Sequence, residues 1–483
     1  MRYVPRLLNE HENTLLPKEL FSDLQLDKIL SDRSVSILQK PCKASEIRHR
    51  NEILELLEEK GNLERMEALL AVLSDTERSL RLLRDTKIPL DRYYRYAKAF
   101  DSYINCHECL SSMADFGSLF SEIAEYSSSE AKQQLLASMR YSTQTINALL
   151  GQLHTGLLSF SDKNWLTPDY EAESEFDRIA ECAGSLGFSV PEKKKKSTRV
   201  NLSLSDAICR LYEKEIAEVE AEISKFADVD LYEPLVYISE IQFFLEIHAL
   251  IQRANSMGVP HCTPKVAKEV RYTAKELYDI SLLAKQCNHI VPNDADFTEN
   301  EPFCFLLGAN GGGKTTYLRA VGINLLLFLA GCPVFAREAK IYPYDVVLSH
   351  FPKDERFDHT GRLDEERERA ENMLGTAHQK SAFLLFNETF SGSDDQYGFE
   401  LLKVTAEQIR RASHSGLYVT HFHEVMSLDY PVLSAEVDPA DKNKRTFRIV
   451  RSKGSASSYA IDILKKYRID KDSLAKRRDG YGN

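Results

Sequence analysis

The chain has 483 residues, 43% of them hydrophobic, and its 62 Lys and Arg against 73 Asp and Glu give a formal net charge of −11. So long and apolar a chain is neither disordered nor collagen-like, and at ~150 residues per domain it suggests roughly three domains. Two differently built regions share it: residues 1–300 hold 7 of the 21 glycines with 36 basic and 48 acidic side chains (net −12), whereas residues 301–483 hold 14 glycines with 26 basic and 25 acidic (net +1).

The N-terminus, MRYVPRLLNEHEN, places a proline and polar residues where a signal peptide needs an apolar stretch of ~7 to 15 residues. The longest unbroken apolar run, Leu325 to Gly331 and its neighbours, is less than half of the ~20 residues that span a bilayer. Neither secretion nor a membrane span is expected. Nine cysteines, odd in number and dilute, read as reduced thiols of a cytoplasmic protein.

Residues 45–160 read as long amphipathic helices, with Ile53, Leu56, Leu57, Leu63, Met66, Leu69, Leu70 and Leu73 recurring at three- and four-residue steps. Cys106 and Cys109 flank His107 in a CxxC, but a tetrahedral metal site wants a second close pair and none exists. Helix-buried thiols are the expectation. Residues 161–203 change character: Pro168, Gly184, Gly187 and Pro191 punctuate them, and Lys193, Lys194, Lys195 and Lys196 with Arg199 form a dense basic run. Such a run is either a solvated loop or a phosphate-contacting tip. Helical spacing resumes from Leu204 to Phe226 and from Pro234 to about Met257, until Gly258, Pro260 and Pro264 break it.

After residue 290 the texture becomes short apolar runs ended by polar or glycine-rich loops: Phe303 to Leu307, Ala382 to Phe386 and Leu417 to Thr420. Buried runs of this length alternating with helical patterns argue for an α/β sheet covered on both faces. The whole is read as α + α/β.

The first run leads into GANGGGKTT, which matches GxxxxGK[ST] through Gly308, Gly313, Lys314 and Thr315. Glycines let backbone N–H groups curl around phosphates, the lysine reaches the β and γ phosphates, and the threonine hydroxyl can bind Mg²⁺. Gly308, Asn310, Gly311, Gly312, Gly313, Lys314, Thr315 and Thr316 are therefore the expected cradle for ATP, with the following helix adding its N-terminal partial charge. The second run ends at Asn387 and Glu388. An acidic residue at such a strand end holds the Mg²⁺ shell; Asn387 can accept from a metal-bound water but brings no charge, so Mg²⁺ would be held less strongly. Glu388 is the candidate general base. After the third run, His421 and His423 could suggest a metal, but two histidines two apart on a strand face opposite ways and no third ligand is evident. His421, directly after the strand and level with Glu388, is read as a γ-phosphate sensor and His423 as structural.

These strand ends and their flanks resemble the MutS family of DNA mismatch repair ATPases. The resemblance rests on VPND at Val291 to Asp294, GANGGGKTTYLR at Gly308 to Arg319, VTHFHE ending in Glu424, and GSASSYAIDI at Gly454 to Ile463. Upstream, Phe21 to Leu30 and Val236 to Ala254 look like the core and lever helices of shorter MutS-like proteins, so it extends over about residues 15–470. It implies a helical core and lever region (1–264, with a basic insertion at about 161–203) followed by a P-loop ABC-type ATPase domain (265–483). It also implies a homodimer with composite ATP sites, acting on branched or damaged DNA. The family's signature loop would fall at Thr360 to Glu366, where Leu363, Asp364 and Glu365 replace the usual Ser/Thr and hydrophobic positions and Arg362 is the candidate trans contact. Gly392 and Gly398 stand where full-length MutS has glycines, and Asn387 resembles the NETF variant of short relatives. Two Phe-x-Glu triplets, Phe120 with Glu122 and Phe244 with Glu246, lie in helical patterns and read as core rather than as a mismatch wedge. The chain begins in the core region and has five residues after Arg478, so wedge-bearing and nuclease domains are not expected.

One physical quantity opposes the DNA reading. Phosphate binding needs clustered positive charge, yet the region that would clamp DNA is net −12. The alternative is a nucleotide-gated protein scaffold that hydrolyses ATP slowly and binds no DNA.

Overall fold

The structure is a computed structural model that describes residues 8, 15–42, 44–158, 198–285, 290–352, 362–391, 395–437 and 445–452. The chain divides into two compact units, Met1–Leu8 with Leu56–Gln242 and Asn9–Glu55 with Phe243–Asn483.

In the second unit the chain begins with α1 (Lys18–Asp23) and α2 (Asp32–Leu38). Ser31 caps α2, its hydroxyl accepting from the Ser34 amide at 3.3 Å, which satisfies one of the donors a helix start leaves open. Helix α3 (Ala44–Leu57) follows. In the first unit, α4 (Asn62–Asp85) starts after Gly61, whose φ of 91° divides the apolar stripe read between Ile53 and Leu73 into two helices. Met66, Leu69 and Leu73 are its buried face, each contributing about 2 kcal/mol by removal from water. Then come α5 (Pro89–Ser111), α6 (Ser118–Ser128), α7 (Glu130–Leu158), α8 (Thr198–Leu211) and α9 (Glu213–Ser224). Phe100, Tyr103, Met139, Ile146, Leu150 and Val219 share their core. Cys106 is buried in α5, 3.0 Å from the Thr76 hydroxyl, and Cys109 is half-buried. Both Phe-x-Glu phenylalanines, Phe120 and Phe244, are fully buried, as the core reading requires.

Helix α10 (Val236–Ser256), which precedes the short α11 (Ser281–Ala284) in the chain, is apolar. Within Glu233–Ser256 it is long and apolar enough to cross a membrane by length and composition, with mean hydropathy 1.3, but 56% of that window is buried in the protein, as in a core helix.

The rest of the second unit is built on two sheets. One combines β1 (Lys265–Val266), β2 (Tyr272–Leu277), β3 (Asn293–Phe297) and β5 (Glu338–Ile341) in the order β1-β5-β2-β3. The other combines β4 (Phe303–Leu307), β6 (Val346–His350), β7 (Ala382–Asn387), β8 (Ser415–Val419), β9 (Val432–Val437) and β10 (Arg445–Arg451) in the order β10-β9-β4-β8-β7-β6. Strands β9, β4, β8, β7 and β6 run parallel, and β10 closes the edge antiparallel to β9. Strands β4, β7 and β8 are buried at every position, the pattern of a sheet packed on both faces. Helix α12 (Lys314–Leu329), which follows β4, packs on β7 and β8 and is buried almost all round. A Cβ on its Gly322 would stand 2.7 Å from Leu385 and 2.9 Å from Leu24, so Gly322 lets α12 approach the sheet and the N-terminal segment together. Residues 15–55 thus belong with the C-terminal sheet: the Cys42 amide donates to Leu329 O at 2.6 Å and Arg50 to Ala330 O at 2.7 Å.

Candidate functional site

The parallel order β4-β8-β7 brings three strand ends side by side, and the residues singled out in the sequence stand there. Position 387 pairs with 419 and position 306 with 419. Glu388, one past β7, donates its amide to Val419 O at 2.8 Å, and Thr420 donates its amide to Leu306 O at 3.1 Å. Carboxyl ends of parallel strands are where open α/β sheets bind ligands.

Between β4 and α12 the chain makes a tight loop in which Gly308, Gly311 and Gly313 all have positive φ (142°, 73° and 90°). Gly308 is also sterically fixed, since a Cβ there would meet the Ala435 Cβ of β9 at 2.6 Å. Nothing lies within 4 Å of a Cβ built on Gly311, so the outer side of the loop is open to a ligand. Gly313 caps α12, and Lys314, Thr315 and Thr316 form its first turn, where unpaired N–H groups favour an anion.

Lys314 is 4% exposed. Its Nζ donates to Gly308 O at 2.8 Å, Ala309 O at 3.3 Å and Asn310 Oδ1 at 3.3 Å, and lies 3.7 Å from Glu388 Oε1. Burial pushes the ammonium below the usual lysine range, and the Glu388 carboxylate opposes that shift. The Thr315 hydroxyl donates to Asn387 Oδ1 at 3.4 Å. Asn387 is the last residue of β7 and is buried. The hydroxyl, amide oxygen and carboxylate gathered here are a hard-oxygen donor set, which suits Mg²⁺ with most of its waters retained.

Glu388 and Phe390 both adopt left-handed φ, 52° and 65°, at roughly 1–2 kcal/mol each for residues with a Cβ. Such strain, held by surrounding structure, is common at functional sites.

The histidines differ from the sequence reading. Strand β8 ends at Val419, so neither is on a strand: His421 is exposed in the turn with its ring 4.3 Å from that of Phe422, and His423 opens a short 3₁₀ helix, His423–Ser427. The opposite-faces argument therefore does not apply. Lys193, Lys194, Lys195, Lys196, Gly392 and Gly454 to Ile463 lie outside the described residues, as do the side chains of Arg199 and Arg362.

Two contributors were not found from sequence. Asn293 of the VPND stretch receives the Ile449 amide at 2.6 Å and donates to Phe447 O at 3.0 Å, tying β3 to β10. Phe447, with φ 58° and 48% exposed, lies against the loop, its Cδ1 3.5 Å from a Cβ built on Gly313. Its segment, RTFRIV, carries no motif that points to the loop; the register shift between Arg445 and Ile449 brings it there.

Comparison with known proteins places this site in context. Residues 304–478 match the family model for MutS domain V. Among similar proteins, a mitochondrial DNA mismatch repair protein mutS homolog from Sarcophyton glaucum is 33% identical over 164 residues, 33% of this chain and 17% of the relative. The DNA mismatch repair protein MutS of Caldicellulosiruptor saccharolyticus is 27% identical over 200 residues (39% and 23%), and that of Bacillus cereus 22% over 320 residues (64% and 34%). The chain spans a sixth to a third of the length of these curated relatives.

Proposed function

We propose that this chain, which matches the MutS family through its C-terminal part, binds and slowly hydrolyses ATP to drive dimer closure on DNA in repair or recombination. The single observation that carries the ATPase reading is the convergence of Lys314, Thr315, Asn387 and Glu388 at the carboxyl ends of β4 and β7, the parallel strands on either side of β8, behind an open glycine loop. In this reading residues 265–483 are a P-loop ATPase domain through which two copies pair, and residues 1–264 are core and lever.

The chemistry follows from the residues. Lys314 exchanges the carbonyls it now holds for β and γ phosphate oxygens. The loop amides and the start of α12 take up the remaining charge. Thr315 and Asn387 would hold the Mg²⁺ shell, and the metal when bound would supply charge neutralisation at those phosphates. Glu388 accepts a proton from the attacking water, His421 contacts the γ phosphate, and Phe447 offers a flat apolar face to a base. Without a carboxylate at 387 the metal would be held more weakly, and this is why turnover is expected to be slow.

The test is direct. Lys314→Ala is expected to abolish ATP binding, while Glu388→Ala keeps binding and loses turnover by about 10²-fold or more. Brisk turnover by the Glu388 variant removes it from the base role, and undiminished binding by the Lys314 variant removes the site.

A second reading is favoured by the net −12 across residues 1–300: a cytoplasmic, nucleotide-gated scaffold whose acidic region binds a basic protein, with no DNA involved. A low-salt panel of mismatched, branched and homoduplex DNA, with and without ATP, separates the two.

A further inference from the structure

Glu388 is followed by Thr389 and then by Phe390, and the turn they make is gripped from two other elements. Helix α13 (Arg362–Ala377) contributes Glu366, a carboxylate only 5% exposed, whose Oε2 accepts the Phe390 amide at 2.7 Å. The main-chain oxygen of the same residue accepts from His350 Nε2, at the end of β6, at 3.2 Å. That bond places a proton on Nε2, and the other ring nitrogen, Nδ1, lies 3.0 Å from the Thr389 hydroxyl. A closed ring results, from Glu366 carboxylate to Phe390 amide, along the backbone to Thr389, through His350, and back to the Glu366 carbonyl. Tyr418 adds a hydrogen bond to Thr389 O at 3.2 Å, and Gly398 leaves room for the Phe390 carbonyl, which a Cβ would meet at 2.3 Å.

We infer that Glu366 is a positioning residue for Glu388. The inference rests on the ATPase reading for what Glu388 does, and on the ring alone for what Glu366 does. Two left-handed non-glycine residues in three positions do not persist without external partners, and the Phe390 amide bond is made two residues from the Glu388 side chain. If it is removed, a buried N–H is left unpaired and the turn relaxes toward ordinary backbone angles. The Glu388 carboxylate then leaves the place where it lies 3.7 Å from Lys314 Nζ. The glycine loop and α12 are held by other contacts, so nucleotide binding is retained. What the site needs at 366 is an acceptor of the right length; the negative charge is secondary.

Wild type, Glu366→Ala and Glu366→Gln are compared as full chains by ATP titration, by turnover, and by amide exchange of residues 386–391. Glu366→Ala is expected to lower kcat about a hundredfold, the cost of a catalytic group displaced by about 1 Å, with the ATP Kd no weaker than in wild type, since the carboxylate that competes for Lys314 has moved away. Exchange at the Phe390 amide should rise about tenfold. Glu366→Gln, whose amide oxygen still accepts, should restore both rate and protection, a rescue that general destabilisation would not give. In a Glu388→Ala background, Glu366→Ala should cost nothing further. If Glu366→Ala fails to fold, Glu366→Asp, one methylene short of Phe390, carries the same expectations. The inference is overturned by a Gln variant as slow as Ala, by Kd weakening in step with kcat, or by unaltered exchange at Phe390. A wild type that binds ATP without turning it over sinks the ATPase reading alone, since the exchange comparison still decides the ring.

Discussion

Lys314 Nζ and Glu388 Oε1 face each other at 3.7 Å, and this sets an expectation at the level of single side chains. A phosphate entering the loop must win Lys314 from three loop oxygens and from this carboxylate. Glu388→Gln removes the charged competitor and should therefore bind ATP more tightly than wild type while losing about 10²- to 10⁴-fold in turnover. Nucleotide titration and a phosphate-release assay check both halves, and weaker binding by the Gln variant would count against the pairing. At the neighbouring position, Asn387→Asp places a charge within 3.4 Å of the Thr315 hydroxyl. It should lower the Mg²⁺ needed for half-maximal turnover roughly tenfold. An already brisk wild-type rate, unmoved by the substitution, rejects the idea that the amide keeps the enzyme slow. The glycine loop, Asn387 and Glu388 were legible because their chemistry is contiguous in sequence. Glu366 was not: it stands at the end of the signature-loop stretch Thr360 to Glu366, among charged residues that single out no one carboxylate. Only the fold turns that one carboxylate inward.

Individual elements show where periodicity suffices and where it does not. Helices α4 to α7 were foreseen because an apolar stripe repeats at three and four residues. The parallel strands were foreseen because runs such as AFLLF have no polar side. The sheet of β1, β5, β2 and β3 was missed, since β1 is two residues long and exposed and β5 alternates weakly, leaving no pattern distinct from loop. Helix α5 also carries a feature with no sequence signature. His107 is 1% exposed, with Nδ1 3.2 Å from the Ser127 hydroxyl. Burial, with the nearby Lys132 charge, pulls its pKa from 6.5 to about 3. Glu233, 4.0 Å from the ring, would oppose this, but its carboxylate is already paired with Lys132 at 3.0 Å. The folded value lies below the unfolded one, so the unfolded chain takes the proton first. The contribution is whole above about pH 6.5 and is lost as pH falls toward about 3, at a limiting ~1.4 kcal/mol per pH unit. Between pH 6.5 and 5 this amounts to about 2 kcal/mol. His107→Asn, which keeps a polar contact for Ser127, should flatten that part of the urea-unfolding stability profile, and an unchanged slope would show that His107 titrates normally.

For the whole molecule the decisive quantity is where the charge lies. A duplex attracts a protein mainly through released counterions, and a surface that neutralises Z phosphates loses affinity with salt at a logarithmic slope of about −0.9Z. The net −12 of residues 1–300 works against this everywhere except at Lys193 to Lys196 with Arg199. If DNA is gripped there, the slope should be shallow for a clamp, about −4.5 from five cations, and changing the four lysines to Ala should flatten it by about 3.6. The affinity lost at low salt should be alike for mismatched, branched and homoduplex DNA, because phosphate contacts carry no sequence information. A preference for branched DNA that survives the lysine change would place recognition elsewhere in the chain. Absence of any DNA binding at low salt, with ATP present, would leave the acidic region as the functional surface, and its partner would then be a basic protein whose association weakens with salt in the same way.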